Sequence, residues 1–324
     1  MHPPDSRQAA AGKAESQVRW VEVDDGSDGQ RLDNFLMRLC KGVPKTHLYK
    51  AIRSGEVRVN RGRAQADTRI KTGDQVRIPP LRLPAPGRPA AVPAVEFPVL
   101  FEDGHLLVVD KPAGVAVHGG SGVAHGVIEQ LRAARPEARF LELAHRLDRE
   151  TSGILVLAKR RSTLVALHED LRQGRWEKRY QALVRGDWGR ARDIRRPLLR
   201  TINAAGERQV RVDEQGQYAH TRVRPLRRFE GFTLIECLLK TGRTHQIRVH
   251  VASEGHPIAG DERYGDFAWN RQLQRTGLRR MFLHAESLQL LHPATGQRVA
   301  ITSPLPTACT DFLATLLALP AGQA

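Results

Sequence analysis

Chemistry in this chain would centre on an aspartate set among arginines. The run His145-Arg146-Leu147-Asp148-Arg149-Glu150-Thr151-Ser152-Gly153 leads directly into the apolar stretch Ile154 to Ala158. A carboxylate in a turn at a strand's mouth can face a cleft rather than the core, and neighbouring guanidinium groups favour its ionised form. Asp148 therefore reads as a nucleophile or charge stabiliser, not a proton donor. The alternative is an Asp/Thr/Ser/Gly turn that simply caps a strand. A second run, Thr241-Gly242-Arg243-Thr244-His245-Gln246-Ile247-Arg248-Val249-His250, carries helix signals. Thr244 fits an N-cap, Gly255 the position after the C-cap, and Pro257 lies just beyond. On a helix from His245 to Glu254, Arg248 falls in the first turns, where the macrodipole disfavours a cation. That placement asks for a carboxylate partner; the alternative is a basic helix start facing solvent or RNA.

Other motifs say less. Lys111-Pro112-Ala113-Gly114 follows a predicted strand, and Gly119-Gly120-Ser121-Gly122 precedes a predicted helix. The glycine spacing misses the dinucleotide fingerprint and the loop does not pass directly from strand to helix, so no NAD site is expected. His245 and His250 are five apart, neither i+3 nor i+4, which argues against a helical metal pair. Cys40, Cys237 and Cys309 are too dispersed in sequence for a disulfide framework or a metal-ligand pair and read as reduced, mostly buried thiols. Tyr180 alone is an ordinary strand aromatic. No metal or cofactor is expected.

These residues need elements to hold them. Strands are predicted at Leu106 to Val109, Ile154 to Ala158, Tyr180 to Val184 and Phe232 to Leu239. Helices are predicted at Val127 to Arg135, Thr163 to Gln173 with Ser162 as N-cap, and Asp311 to Leu319. The strands do not alternate strictly with helices, so an α+β domain with a mixed, largely antiparallel sheet is expected over residues 99–319. A small basic α+β domain is expected over residues 18–78. There Leu32, Phe35, Leu36 and Leu39 mark one face of a helix, and Leu48 and Ile52 mark a second that Pro44 opens and Gly55 closes. Val57 and Val59 then alternate as in a strand, and Gly73-Asp74 turns before Val76 and Ile78. Between Arg31 and Pro80 stand 12 Lys/Arg and 4 Asp/Glu, half the excess charge of the whole chain. Lys45, Lys50, Arg53, Arg58 and Arg61 are candidate phosphate contacts. Seven prolines between Pro79 and Pro98 forbid regular helix and predict a semi-rigid linker over residues 79–98. Residues 1–17 and 320–324 read as tails, the first disordered.

The 324 residues carry 51 Lys+Arg against 35 Asp+Glu, a formal net charge of +16. Clustered cations gain affinity by releasing counterions from phosphates, so a polyanion is the expected partner. No window approaches the ~18 apolar residues of a bilayer helix. The first seventeen residues lack the apolar core of a secretory signal, which points to the cytoplasm.

The segment HRLDRETSG at His145 resembles the active-site motif of the pseudouridine synthases that act on large-subunit ribosomal RNA. The KPAG stretch at Lys111, Lys178-Arg179-Tyr180 and TGRTHQIRVH at Thr241 resemble the family's other motifs, in the expected order. Residues 31–78 are similar to the alpha-L RNA-binding motif. GVPK at Gly42, GEVRVN at Gly55, VHGGSG at Val117 and ARFLELAHRLDR at Ala138 resemble one branch of the group especially closely.

The resemblance implies a pseudouridine synthase fold and conversion of uridine to pseudouridine in large-subunit ribosomal RNA, without cofactor, by a monomer. It makes Asp148 the catalytic aspartate, Arg248 its basic partner and Tyr180 the residue that packs on the base and is implicated in proton removal. Arg146 would enter the RNA stack where the uridine leaves. Lys111, Arg243 and His245 would contact substrate. Two other readings stay open: a non-catalytic RNA-binding or assembly factor, and a hydrolase using Asp148 with water.

Overall fold

The computed structural model describes residues 18–40, 43, 45–81, 92–119, 125–202 and 208–317. Both expected tails, half of the proline spacer (82–91), Pro44 and the Gly120-Ser121-Gly122 stretch lie outside the described residues. The chain divides into two compact units, at Val92 and Pro93.

The first unit contains β1 (Arg19–Glu22), α1 (Leu32–Leu39), α2 (Lys45–Arg53), β2 (Arg58–Val59), β3 (Gly62–Arg63) and β4 (Gln75–Ile78). Its strands pair antiparallel in the order β1-β4-β2-β3. Leu32, Phe35 and Leu36 of α1 and Leu48, Ala51 and Ile52 of α2 close over Val57, Ile70, Val76 and Ile78. The i, i+3, i+4 face is therefore buried, but its last member is not. Leu39 ends the helix and is exposed, and Cys40 turns inward instead. Asn60 and Arg61 both have positive φ and form the two-residue loop between β2 and β3, as a type I′ turn requires. The Asn60 amide ties that loop to Asp74 Oδ1 at 2.8 Å.

The second unit is built on a ten-stranded sheet. Its strands are β5 (Val99–Glu102), β6 (Leu106–Lys111), β7 (Glu142–Leu143), β8 (Ser152–Ala158), β9 (Glu177–Arg185), β10 (Arg192–Ile194), β13 (Thr221–Phe229), β14 (Phe232–Leu239), β15 (Leu283–Leu291) and β16 (Arg298–Thr302). The main path runs β10-β13-β14-β9-β15-β8-β6-β5, with β16 beside β15 and β7 beside β8. Every pairing is antiparallel except β15 with β8, so the sheet is mixed and largely antiparallel. A separate hairpin pairs β11 (Leu198–Ile202) with β12 (Arg208–Val212).

Central strands are apolar on both faces because both are covered. Leu107, Val109, Leu155 and Leu157 pack with α3 (Val127–Ala134) and α5 (Gln246–Ser253). Leu106, Val108, Ile154 and Val156 pack with α4 (Arg161–Arg172). A further cluster joins Leu183 and Phe282 to α6 (Phe267–Arg275) and α7 (Thr307–Ala314). Phe97 is packed in the core beside Val109, so the second unit begins inside the stretch expected to be linker.

Where β8 meets β15 the backbones nearly touch. Gly153 has φ +108°, and a Cβ there would lie 2.3 Å from the Ala285 carbonyl oxygen. Only glycine permits that approach.

Candidate active site

Asp148 lies in the turn between β7 and β8, half-buried, with its carbonyl accepting the Thr151 N–H at 3.1 Å. Behind the turn stands Lys111, expected from the sequence to touch substrate. The structure corrects this. Lys111 is fully buried, and its Nζ donates to the carbonyls of Pro112 (2.8 Å), Val115 (2.8 Å) and Arg149 (3.0 Å). The cause is register: Lys111 is the last residue of β6, paired with Gly153 and directed into the loop rather than the cleft. Burial pushes its ammonium down to about 7, and three carbonyls match the three N–H bonds of the charged form. Lys111 thus clamps the residue that follows Asp148.

α5 supplies the cation. It begins at Gln246, one residue later than expected, and its N-cap is His245, not Thr244. His245 has φ 55°, in the left-handed region that costs a non-glycine residue energy. Thr244 instead accepts a hydrogen bond from Arg200 of β11. The buried Gln246 side chain fixes the approach: its Oε1 accepts from Arg243 N (2.9 Å) and Thr241 Oγ1 (2.8 Å), and its Nε2 donates to His220 O and Thr221 Oγ1.

Arg248, in the first turn of α5, has the carboxylate partner its placement demanded, and a second one. Its Nη1 donates to Asp148 Oδ2 at 3.1 Å, while Nε and Nη2 each reach an oxygen of Asp261 at 2.8 Å. Asp261 is 1% exposed and also accepts the N–H groups of Arg263 and Tyr264. Burial would push Asp261 up, but Arg248 and those N–H groups hold its carboxyl below the ordinary range. Burial would likewise lower Arg248, and the two carboxylates raise it instead. The sequence pointed to Arg146 and Arg149 as the groups beside Asp148. Arg149 turns away to Glu150 at 2.7 Å, and the guanidinium that grips Asp148 lies one hundred residues along the chain.

Two cavities meet at Asp148. The first, about 590 Å³, is walled by Leu147, Tyr180, Leu239, Ile247 and Leu283, with Lys178, Arg200 and Arg243 also lining it. Tyr180 is buried there, and desolvation followed by the Asp148 charge raises its phenol. The second, about 900 Å³, is lined by Arg149, Arg263, Arg279 and Arg280. Arg146, Leu147, Asp148, His245 and Arg248 border both. Arg146 is exposed, and among the described residues its side chain makes no hydrogen bond or ion pair. Arg243 is exposed, with its Nε on the Tyr218 carbonyl at 3.0 Å. His245 Nε2 stands 3.8 Å from Asp148 Oδ2.

Of the residues singled out in the second unit, Asp148, Arg248, Tyr180, Arg146, Arg243 and His245 come together, and Lys111 does not. His250 turns away, with Nδ1 near Thr221 Oγ1 (2.9 Å) and Nε2 near the Arg196 carbonyl (3.0 Å). Lys45, Lys50, Arg53, Arg58 and Arg61 are all exposed on the first unit. Asp261 and Tyr264 went unnoticed in the sequence; the one available signal was the unexplained cation at Arg248, which a single carboxylate already seemed to answer. Among the described residues no helix is long and apolar enough to cross a membrane.

Residues 105–253 match the family described as RNA pseudouridylate synthase, and residues 30–76 match the S4 domain. Ribosomal large subunit pseudouridine synthase C of Escherichia coli (strain K12) is 50% identical over 297 residues, covering 89% of this chain and 93% of that protein. Its namesake in Haemophilus ducreyi is 49% identical over 310 residues, covering 94% and 97%. Among solved structures, Human RNA Pseudouridylate Synthase Domain Containing 4 aligns with a TM-score of 0.56 at 26% identity, covering 67% of this chain and 91% of that one. Human RNA Pseudouridylate Synthase Domain Containing 1 aligns at 0.58 and 25%, covering 71% and 91%.

Proposed function

The chain belongs to the RNA pseudouridylate synthase family, and from that premise we propose that it isomerises uridines of large-subunit ribosomal RNA to pseudouridine, with Asp148 as the catalytic group. The observation that carries the reading is the Asp148 carboxylate, ion-paired to Arg248 and open to a cavity of about 590 Å³ with an apolar wall and a basic lining.

The reaction breaks the N1–C1′ bond, turns the uracil over and joins C5 to C1′, with the C5 proton lost and N1 protonated. It is redox-neutral and needs no external group donor. A stacked uridine hides its sugar, so the nucleotide must leave the helix at a cost of a few kcal/mol. Arg146, exposed at the rim, is suited to stack in the space it vacates; such stacking contributes about 1–3 kcal/mol. Tyr180 and the leucines suit the face of the extruded base, and Arg243 its flanking backbone. Asp148 then acts on the sugar, by attack on C1′ or by removal of a sugar proton, and either route frees the uracil to turn. Arg248 holds the carboxylate in place for that step. The first unit, through Lys45, Lys50, Arg53, Arg58 and Arg61, supplies phosphate contacts that raise affinity without reading sequence. On this reading the protein acts as a monomer, in the cytoplasm, on ribosomal RNA.

Large-subunit RNA carrying tritium at uridine C5 tests this. The expected outcome is release of tritium to water with no free uracil and no change in strand length, abolished in Asp148→Asn. Free uracil would mean a hydrolase, and full release by Asp148→Asn would remove the carboxylate from the mechanism.

A further inference from the structure

The two oxygens of the Asp148 carboxylate have different surroundings. Oδ2 accepts from Arg248 Nη1 at 3.1 Å and faces His245 Nε2 at 3.8 Å. Among the described residues none donates to Oδ1. What His245 presents to Oδ2 depends on where its ring proton lies, and its other nitrogen decides that.

His245 Nδ1 is 2.7 Å from Tyr264 Oη, which also accepts the backbone N–H of Val210 at 3.2 Å. If Nδ1 carried the proton, the tyrosine hydrogen would have no acceptor among the described residues. Nε2 would then set a lone pair against a carboxylate. With the hydroxyl donating to Nδ1, each group is satisfied and Nε2–H points toward Asp148. The Tyr264 ring braces both neighbours of the acid: Arg248 lies over its face, 5.0 Å from the centroid, and His245 meets it edge-on at 5.4 Å. His245 is held besides in a left-handed conformation at the head of α5.

We propose that Tyr264 is a positioning residue for the isomerase reaction: it fixes His245 as the Nε2–H form, which with Arg248 occupies Oδ2 of Asp148 and reserves Oδ1 for the sugar. This rests on the reading of the chain as a uridine isomerase. The groups facing His245 are Asp148 from the turn before β8, Arg248 from α5, and Asp261, Arg263 and Tyr264 from the loop after α5. The Val210 N–H of β12 reaches it through Tyr264. Burial lowers the imidazolium of His245, Asp148 opposes that, and Arg248 and Arg263 reinforce it. The neutral ring is thus favoured; a charged ring would also present Nε2–H, but it would set a second full cation against Oδ2 and weaken the carboxylate as nucleophile or base.

The test compares single-turnover rate, RNA affinity and pH profile for full-length wild type, Tyr264→Phe, His245→Gln and His245→Ala. Removing the hydroxyl leaves Nδ1 ready to take a proton. Tyr264→Phe is therefore expected to bind RNA normally, react roughly tenfold more slowly, and show the acid limb of its rate shifted to higher pH. His245→Gln, whose amide supplies an N–H near the Nε2 position, retains most of the rate and loses the limb, whereas His245→Ala loses rate. A Tyr264→Phe enzyme with wild-type rate and profile would overturn the proposal. So would equal losses in His245→Gln and His245→Ala with the limb unmoved, because packing alone would then explain them. A wild-type protein that forms no pseudouridine would instead sink the isomerase reading, so the two failures are distinguishable.

Discussion

At the scale of residues, the acid and its partners are tuned by what they touch. Asp148 and Arg248 were legible because one stands in a charged turn at a strand's mouth and the other in an unfavourable place on a helix. Their pairing across one hundred residues was not legible, since local sequence offered Arg146 and Arg149 first. Asp261 lies in a loop with no periodicity to mark it, and only the fold brings it to Arg248. Its folded carboxyl sits below the ordinary value, so the stability it contributes is present above about pH 4 and is lost as pH falls through the lower folded value. Asp261→Asn should cost stability at pH 7, about 3 kcal/mol for breaking a buried pair, and flatten the pH dependence of stability below about pH 4. Denaturant titrations from neutral to acid pH measure both effects.

Among elements, the strands at Leu106, Ile154, Tyr180 and Phe232 were readable from apolar content alone, and the sheet lengthens each of them except β14. β13 was missed because it carries four arginines and a proline in nine residues, with a register shift between Pro225 and Arg227. The proline argues against a strand, and the bulge is what accommodates it. The last helix also departs from expectation: it spans Thr307–Ala314 behind Pro306, not Asp311 to Leu319, because the proline sets its start. Lys111 shows why a motif residue need not touch substrate. Lys111→Met leaves three carbonyls without their donor, at about 1–3 kcal/mol for each that stays dry, and loosens the turn that carries Asp148. A thermal melt should show a marked fall in Tm, and the single-turnover rate should drop even where the variant is folded. An unchanged Tm would mean that the clamp is dispensable.

For the whole molecule, the excess positive charge and the two-part plan were visible in composition and the proline run. The start of the second unit was not: Val95 and Phe97 look like spacer in sequence, yet they pack on its core. If the first unit supplies phosphate contacts, Lys50→Ala and Arg58→Ala should weaken binding to target and non-target RNA alike. Each should reduce the slope of log affinity against log salt by roughly one. Filter binding over a salt series measures this, and a loss confined to the target RNA would assign these residues to sequence reading instead.

The central claim is that one carboxylate, Asp148, makes pseudouridine in large-subunit ribosomal RNA. Its most direct test is to map pseudouridines in that RNA from cells lacking the protein and carrying either wild type or Asp148→Asn. Defined positions should be modified with the wild type and remain uridine with Asp148→Asn, although both proteins are present at equal levels. The same positions modified in both would contradict the account.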